Sequence, residues 1–162
     1  MGHEWKLESI LYQEKTLQFD RFTFENAYEI GSMLYAIAFK RGLQVAIDIT
    51  RNGHRLYHVA LNGSSPDNEA WIERKKNVVH RFSHSSYYMS LFLENENTTI
   101  EEKFLLDSYE YAAHGGSFPI IIRGTGVIGT ITVSGLPSED DHALVVEVLT
   151  DYLGGSHEVS QH

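Results

Sequence analysis

Apolar residues recur at the spacing of an α-helix in several segments of this 162-residue chain. In the clearest of them, Ala27, Ile30, Leu34, Ile37 and Ala38 share one stripe. Thr23 suits the N-cap position before this stripe, and Gly42 can adopt the left-handed conformation that ends a helix. The pattern therefore predicts a helix between these two residues. Further helices are predicted over residues 3–15, from Pro66 onward, from Thr98 onward, and from an N-cap at Ser138 to about Tyr152.

Two β-rich runs flank Asn52-Gly53, a dipeptide typical of a two-residue hairpin because both residues accept a positive φ. Such a turn would pair Ile49 with Leu56 and Ile47 with His58 on one face of the ribbon. His58 would then have aliphatic neighbours, and we favour a core histidine bonded to backbone over a ligand-binding one. Further strands are predicted over residues 111–114, 118–123 and 127–134. The chain is therefore predicted to be an α+β protein with a five-stranded antiparallel sheet flanked by helices.

A glycine pattern near the end of the chain resembles a nucleotide-binding motif. Residues 124–129 read GTGVIG, which matches the G-x-G-x-x-G fingerprint. That fingerprint requires a strand that passes into a helix, whereas a β-rich run follows here. We therefore predict a hairpin turn at residues 124–126, with Gly129 at a bulge or at a close approach of two backbones.

Composition excludes several classes of function. The chain has no cysteine, which excludes disulfides, thiolate metal ligands and a cysteine nucleophile. A formal charge of −9 would repel a phosphate backbone, so we expect no nucleic-acid partner. No apolar run approaches the roughly 18 residues of a spanning helix, and no secretion signal is evident. We expect a cytoplasmic protein without membrane insertion, folded as one domain over residues 1–153 with a flexible tail over residues 154–162.

Two features of the long helix after Pro66 carry possible chemistry. Lys75 lies in the apolar stripe of Trp71, where its stem could pack along the core while its ammonium reaches water, or its charge could enter a pocket. We favour the first alternative. His80 and His84 have a spacing that suits a shared metal, but no third ligand or adjacent glutamate accompanies them, so we predict a solvated helix face and no metal site.

Four short stretches together resemble one protein family. They are residues 63–75 (GSSPDNEAWIERK), 82–87 (FSHSSY), 115–120 (GGSFPI) and 129–136 (GTITVSGL). The combination is similar to the HbpS/GlcG-like proteins, the haem-degrading domain family, over residues 20–153. The resemblance implies a profilin- or PAS-like fold and assembly into homo-oligomers, and the family name implies haem binding or degradation with haem as the cofactor. It does not extend to a shared set of haem ligands.

Two hypotheses of function follow. In the first, the protein binds a small molecule, of the haem type by resemblance, in a pocket rimmed by Gly115-Gly116 and the start of the Trp71 helix, with His58 or His114 as an iron ligand. In the second, it is a non-enzymatic oligomeric module in which residues 85–89 and Phe92 pack between subunits. An enzymatic activity on a small metabolite is a third alternative that stays open. Spacing alone assigns no Ser-His-Asp set, carboxylate pair or phosphate loop to it.

Overall fold

The computed structural model of the protein describes residues 4–154, and its strands form one sheet. Within this range the elements are α1 (Glu4–Thr16), α2 (Phe24–Arg41), β1 (Ala46–Arg51), β2 (His54–Ala60), α3 (Pro66–Phe82), α4 (Ser86–Asn95), α5 (Ile100–Phe104), β3 (Ser117–Ile122), β4 (Gly126–Ser134) and α6 (Ser138–Leu153). All strand pairs are antiparallel, in the order β2-β1-β4-β3. The predicted α+β class is confirmed. Of the predicted tail, residues 155–162 lie outside the described residues.

The ends of α2 follow the local signals in the sequence. The Thr23 hydroxyl accepts a hydrogen bond from Asn26 N at 3.0 Å, while the Asn26 side chain accepts one from Thr23 N. Gly42 has a φ of 69°, which ends the helix in the left-handed region. The start of α6 differs by one position, because Pro137 is its N-cap and Ser138 is its first residue. The Ser138 hydroxyl caps nothing and accepts a hydrogen bond from Gly115 N.

The hairpin at Asn52-Gly53 is confirmed, but its predicted register is wrong. Both residues have a positive φ, 50° and 78°, and Arg51 faces His54. A bulge then intervenes: Thr50 pairs with Arg55 and Ile49 with Tyr57, so that Leu56 is an extra residue on β2. Beyond the bulge every pair is shifted by one, and His58 faces Asp48 in place of Ile47. His58 therefore leaves the aliphatic face on which the sequence placed it.

Among residues 4–154 the sheet has four strands, so the predicted fifth strand is wrong. Residues 111–114 form no ladder, and Ala112 N donates to the carbonyl of Arg74 on α3. Phe19 pairs with the outer edge of β3: its backbone N donates a hydrogen bond to Ile121 O, and its carbonyl accepts one from Arg123 N. Because one residue makes this contact, the edge is covered without a full strand.

The two faces of the sheet differ in polarity. Helices α2 and α6 cover the apolar face, whose core includes Phe19, Ile30, Leu34, Ile47, Ile49, Phe118, Ile120, Ile131, Leu149 and Tyr152. Helix α3 covers the other face, where Asp48, Thr50, Thr130 and Thr132 are buried. Polar groups at this depth require partners, so α3 must supply charge as well as apolar area.

The glycine-rich turn before β4 is a hairpin, as predicted. Gly124 and Gly126 have φ values of 76° and 122°. A Cβ on Gly129 would collide with the backbone carbonyl of Thr50 on β1. The glycine is therefore required because the backbones of β1 and β4 approach each other closely here. Across residues 4–154, no helix is long and apolar enough to cross a bilayer.

Candidate functional site

A cleft of about 260 Å³ opens where the first turns of α3 and α6 meet the Gly115-Gly116 loop. Its walls come from Asn68, Trp71, Lys75, His114, Gly115, Ser134, Gly135, Leu136, Ser138 and Asp141. Four of the six candidate residues named from the sequence therefore line one cavity, and Gly116 adjoins it through contact with Lys75. That they bind a ligand stays a prediction.

The ammonium of Lys75 lies at the base of this cleft. The residue is 2% exposed, and its Nζ donates to Val133 O at 2.8 Å, to Gly115 O at 3.0 Å and to the Asp141 carboxylate at 3.4 Å. The favoured expectation, an ammonium that reaches water, is wrong. Three acceptors match the three protons of the ammonium group, which makes burial of the charge tolerable.

Asp141 closes the ion pair from the start of α6. Its two oxygens accept hydrogen bonds from Leu136 N at 3.0 Å and Gly135 N at 3.3 Å. Burial raises the pKa of Asp141 to about 6, although Lys75 and these two N–H groups oppose the rise. Burial lowers the pKa of Lys75, again against its partner. The pair is thus held together at the cost of desolvating both groups.

The loop of Gly115 and Gly116 passes too close to its neighbours for any side chain. Gly116 has a φ of 135°, and a Cβ there would collide with Val133 O and with the ammonium of Lys75. A Cβ on Gly115 would collide with the carbonyl of Ser138. The glycines therefore let the loop backbone reach the lysine and the start of α6 together.

Trp71 and His114 form the aromatic wall of the cleft. Their rings meet edge to face with centroids 5.2 Å apart, and the guanidinium of Arg74 lies 4.5 Å from the centroid of the Trp71 ring. Partial burial lowers the pKa of His114, and the positive charges of Lys75 and Arg74 lower it further. His114 is therefore a neutral imidazole near pH 7, and one of its ring nitrogens can accept a hydrogen bond or bind a metal.

The remaining histidine candidates lie away from the cleft. His58 Nε2 is 2.7 Å from Glu69 on α3, and His58 does not line the cavity. Helix α3 ends at Phe82, so His84 leaves the helix and its Nδ1 contacts Glu14 at 2.7 Å. His80 is exposed, and the shared helix face predicted for the two residues does not exist. No group of three or more potential metal ligands occurs among residues 4–154.

Sequence reasoning missed Asp141 and Ser138 as parts of the site. The sequence predicts Ser138 only as the N-cap of α6 and indicates for Asp141 no role beyond the acidic first turn of that helix. A weak signal existed, because a lysine in an apolar stripe requires a buried acceptor somewhere in the chain. Spacing could not identify the partner, since Asp141 lies 66 residues after Lys75.

A second charged cluster, the Lys76 cluster, is also buried under α3. Lys76 Nζ donates to Thr50 Oγ1 at 3.0 Å and lies 3.3 Å from Asp48, which is fully buried. Arg55 Nε donates to the same carboxylate at 2.9 Å. These contacts give Asp48, Thr50 and Lys76 partners on the polar face of the sheet, whereas the buried Thr130 hydroxyl on the same face has no described partner.

A wider groove of about 480 Å³ separates α1 from α6. On its α6 side, His142 is 4% exposed and shares a hydrogen bond of 2.8 Å between its Nε2 and Gln13 Oε1. Its Nδ1 is buried without a partner among the described residues. Burial lowers the pKa of His142 to about 4, so the ring is neutral near pH 7.

The segment predicted to pack between subunits contributes to the core of the chain itself. Tyr87 and Met89 are buried at 8% and 3% exposure, and Phe92 is half-buried beside Tyr88. Core packing explains the apolar character of this segment, and its packing between subunits stays a prediction.

Comparison with known proteins places the chain in a family. The model described as "Haem degrading protein HbpS-like" matches residues 22–150. A UPF0303 protein of Streptomyces avermitilis is 49% identical over 141 residues, which cover 87% of this chain and 86% of the relative.

Two solved structures extend the comparison to the fold. The crystal structure of the Ybr137w protein is 36% identical, covers 96% of this chain and 90% of its own, and superposes with a TM-score of 0.85. The crystal structure of the PduOC:heme complex covers 84% of this chain and 98% of its own with a TM-score of 0.65, but at 13% identity it shows only a shared fold. The resemblance found in the sequence motifs is confirmed, and this chain belongs to the HbpS-like family.

Proposed function

We propose that this chain is a small-molecule-binding protein whose ligand occupies the cleft above the Lys75–Asp141 pair. The buried ion pair is the observation that carries the proposal, because removing two charged groups from water costs free energy and the pair lies at the base of an open cavity. Replacing a buried ion pair by apolar residues is often neutral or stabilising, so such a pair contributes little to stability by itself. Desolvated, paired titratable groups in a cleft are instead typical of functional sites.

The groups around the cleft favour a compact ligand with an acceptor group. The Ser138 hydroxyl accepts a bond from Gly115 N, which leaves its own proton for a ligand. The cleft also lies at the N-terminal turns of α3 and α6, where backbone N–H groups point outward. Trp71 and Leu136 supply apolar contact beside these donors. A carbonyl or monocarboxylate ligand with a small apolar part suits this combination.

Acidic residues limit the charge that the ligand can carry. Asp67 and Glu69 lie in the first turn of α3, and Glu139 and Asp140 lie in that of α6. These carboxylates offset the positive ends of the two helices, and the chain as a whole has a formal charge of −9. A polyphosphate or a dicarboxylate is therefore a poorer candidate than a neutral or singly charged molecule.

Fluorescence of Trp71 can test the proposal directly. The chain has two tryptophans, so Trp5→Phe leaves Trp71 as the reporter in the cleft wall. We would titrate this variant with pyruvate and acetate as probes and with ethylamine as a cationic comparison. A saturable change with a carboxylate but not with the amine is expected, because the cleft presents donors.

Substitutions within the cleft provide the discriminating control. Ser138→Val and His114→Ala in the same background are expected to weaken the response at least about 10-fold, since each removes a polar contact worth about 1.5 kcal/mol. His80→Ala, a substitution of an exposed residue on α3 outside the cavity, should leave the response unchanged. No saturable response to either carboxylate, or one that persists in both cleft variants, would refute the proposal.

Haem is the second candidate ligand, favoured by the family description and by the haem-bound fold relative. A neutral imidazole at His114 suits an iron ligand. The cleft itself, at about 260 Å³, lies below the usual range of ligand cavities and does not enclose a porphyrin. A haem would therefore extend beyond the cleft, and His114 is the residue that would hold its iron.

Absorbance spectroscopy separates haem from the smaller ligand. We expect haemin to produce a saturable Soret shift that is lost in His114→Ala and retained in His58→Ala, because His58 already contacts Glu69 and lies outside the cleft. A shift that is retained in His114→Ala would exclude that residue as the ligand. Absence of saturable binding would exclude haem while leaving the carboxylate titration as an independent test.

A further inference from the structure

The groove between α1 and α6, the α1–α6 groove, is a second candidate binding site. Helix α1 packs mainly against α4, which leaves space between α1 and α6. This space has a volume of about 480 Å³, within the usual range of small-molecule sites. It shares no lining residue with the Lys75 cleft, so a ligand of the groove is independent of a ligand of the cleft.

Aromatic and aliphatic side chains line the groove. Trp5 and Ile10 of α1 lie there with Tyr87 of α4 and Val146 of α6. Trp5 is 67% exposed, so most of its indole ring is left in contact with water. A flat aromatic ring placed against Trp5 would remove apolar area of both rings from water and stack favourably.

Gln13 provides a polar group within this apolar wall. Its Oε1 lies 2.8 Å from His142 Nε2, and because a carboxamide oxygen only accepts, the histidine donates this hydrogen bond. The bond fixes the orientation of the carboxamide. The NH2 group of the half-buried Gln13 has no partner among the described residues, and Oε1 keeps a second lone pair. Gln13 can therefore donate one hydrogen bond to a ligand and accept another from it.

His142 holds Gln13 in place at a cost to the stability of the fold. Its Nδ1 is one of two buried side-chain polar atoms without a partner among residues 4–154. A buried polar atom that forms no hydrogen bond destabilises the folded chain. The one described hydrogen bond of the His142 side chain is the bond to Gln13. Orientation of that carboxamide is therefore a reason for a histidine at this buried position.

Charged residues along the groove balance one another. Lys6 of α1 and Glu139 of α6 both line it, and neither forms an ion pair with a described residue. Glu147 also lines it, but its carboxylate accepts two hydrogen bonds from Arg41, at 3.0 and 2.7 Å. One positive and one negative charge remain, so the groove favours a ligand without net charge.

From these observations we infer that the α1–α6 groove binds a neutral aromatic carboxamide or lactam. The aromatic ring lies against Trp5, and the N–H and C=O groups of the ligand pair with the carboxamide of Gln13. An amide ligand matches Gln13 because it also carries both a donor and an acceptor. This inference does not depend on the ligand proposed for the Lys75 cleft, because the two cavities have separate walls.

Fluorescence of Trp5 reports on this groove alone. The chain has two tryptophans, so Trp71→Phe removes the one in the cleft and leaves Trp5 in the wall of the groove. We would titrate this variant with benzamide, benzoate and benzylamine, which share one ring and differ in charge. Benzamide is expected to give a saturable change and to bind about 3- to 10-fold more tightly than the other two, because only the amide both donates to and accepts from Gln13 without net charge. Pyruvate should leave the signal of Trp5 unchanged.

Substitutions of Gln13 and His142 test the hydrogen bonds. In the Trp71→Phe background, Gln13→Leu should weaken benzamide about 3- to 10-fold. Gln13→Glu should shift the preference from benzamide to benzylamine, because a carboxylate accepts hydrogen bonds, cannot donate them and attracts a cation. His142→Phe should also weaken benzamide, but it should have no further effect once Gln13→Leu is present, since the histidine acts through Gln13.

Lys15→Met serves as the matched control, because Lys15 is an exposed residue of α1 outside the groove, and it should bind benzamide as the parent does. Circular dichroism would confirm that each variant keeps its helices. The inference is overturned if benzamide gives no saturable response, or if the three probes bind equally well and therefore through the ring alone. It is also overturned if Gln13→Leu binds benzamide as tightly as the parent, or if Gln13→Glu still prefers the amide.

Discussion

The buried histidine of α6 should make folding stability depend on pH in a defined direction. In the folded chain the pKa of His142 is lowered to about 4, against about 6.5 for an unfolded histidine. Between these values the unfolded chain binds a proton that the folded chain does not, so stability falls as the pH falls through this window. The Nδ1 atom, buried without a described partner, has nowhere to place a proton in the fold.

The size of the effect follows from the two pKa values. The full difference corresponds to roughly 3 kcal/mol at about 1.4 kcal/mol per unit, and about 2 kcal/mol of it is lost between about pH 7.5 and about pH 5. Asp141 acts in the opposite direction, because its pKa is raised to about 6 and its protonation favours the fold. The contribution of His142 must therefore be measured as a difference between two variants.

Urea unfolding at the two pH values, followed by intrinsic fluorescence, measures that difference. His142→Phe keeps an aromatic ring against Tyr87 and Phe118 but removes the titration. We expect the wild type to lose about 2 kcal/mol more than this variant on acidification. Gln13→Leu, which removes the partner of Nε2 and keeps the imidazole, should retain the wild-type pH dependence. Equal losses in wild type and His142→Phe would refute the reasoning.

Three further substitutions test the cleft and the helix signals by chemical unfolding. Lys75→Met should lower the free energy of unfolding by about 3 to 5 kcal/mol, because it leaves Asp141 buried without a cation. Adding Asp141→Leu should recover most of this loss, and a double variant as unstable as Lys75→Met would contradict the reasoning. Gly116→Ala should cost at least about 2 kcal/mol through backbone collision, whereas Gly124→Ala, with a positive φ but open space, should cost about 1 kcal/mol. Thr23→Ala should cost about 1 kcal/mol by removing the cap of α2, and an unchanged unfolding midpoint would contradict that role.

Local signals predicted elements well where neighbouring residues decide the outcome. The cap at Thr23, the left-handed Gly42 and the Asn52-Gly53 turn depend on the conformational preferences of one or two residues and on hydrogen bonds within a single turn. The same reasoning rejected a nucleotide loop at residues 124–129, because no helix follows it. These preferences act before any tertiary contact forms, and they are readable from the chain alone.

The strand register shows where local reasoning stops. One extra residue at Leu56 moves every later pair of the β1–β2 ribbon by one position, and His58 changes faces as a result. The position of a bulge depends on how the sheet packs against α2 and α3, and no residue type in the hairpin indicates it. The missing fifth strand is likewise a matter of distant contacts, since Ala112 N donates to the carbonyl of Arg74 on α3 and residues 111–114 join no strand.

By itself, the sequence determined the limits of α2, the hairpin turn, the α+β class and the stretches that later meet at the cleft, including Trp71, Lys75 and Gly115. Only the tertiary structure decided that Lys75 is buried with Asp141 and that His58 contacts Glu69 outside the cleft. Local conformation depends on a few adjacent residues, whereas the partner of a buried charge is selected by which distant segments the packed sheet and helices bring within hydrogen-bonding distance.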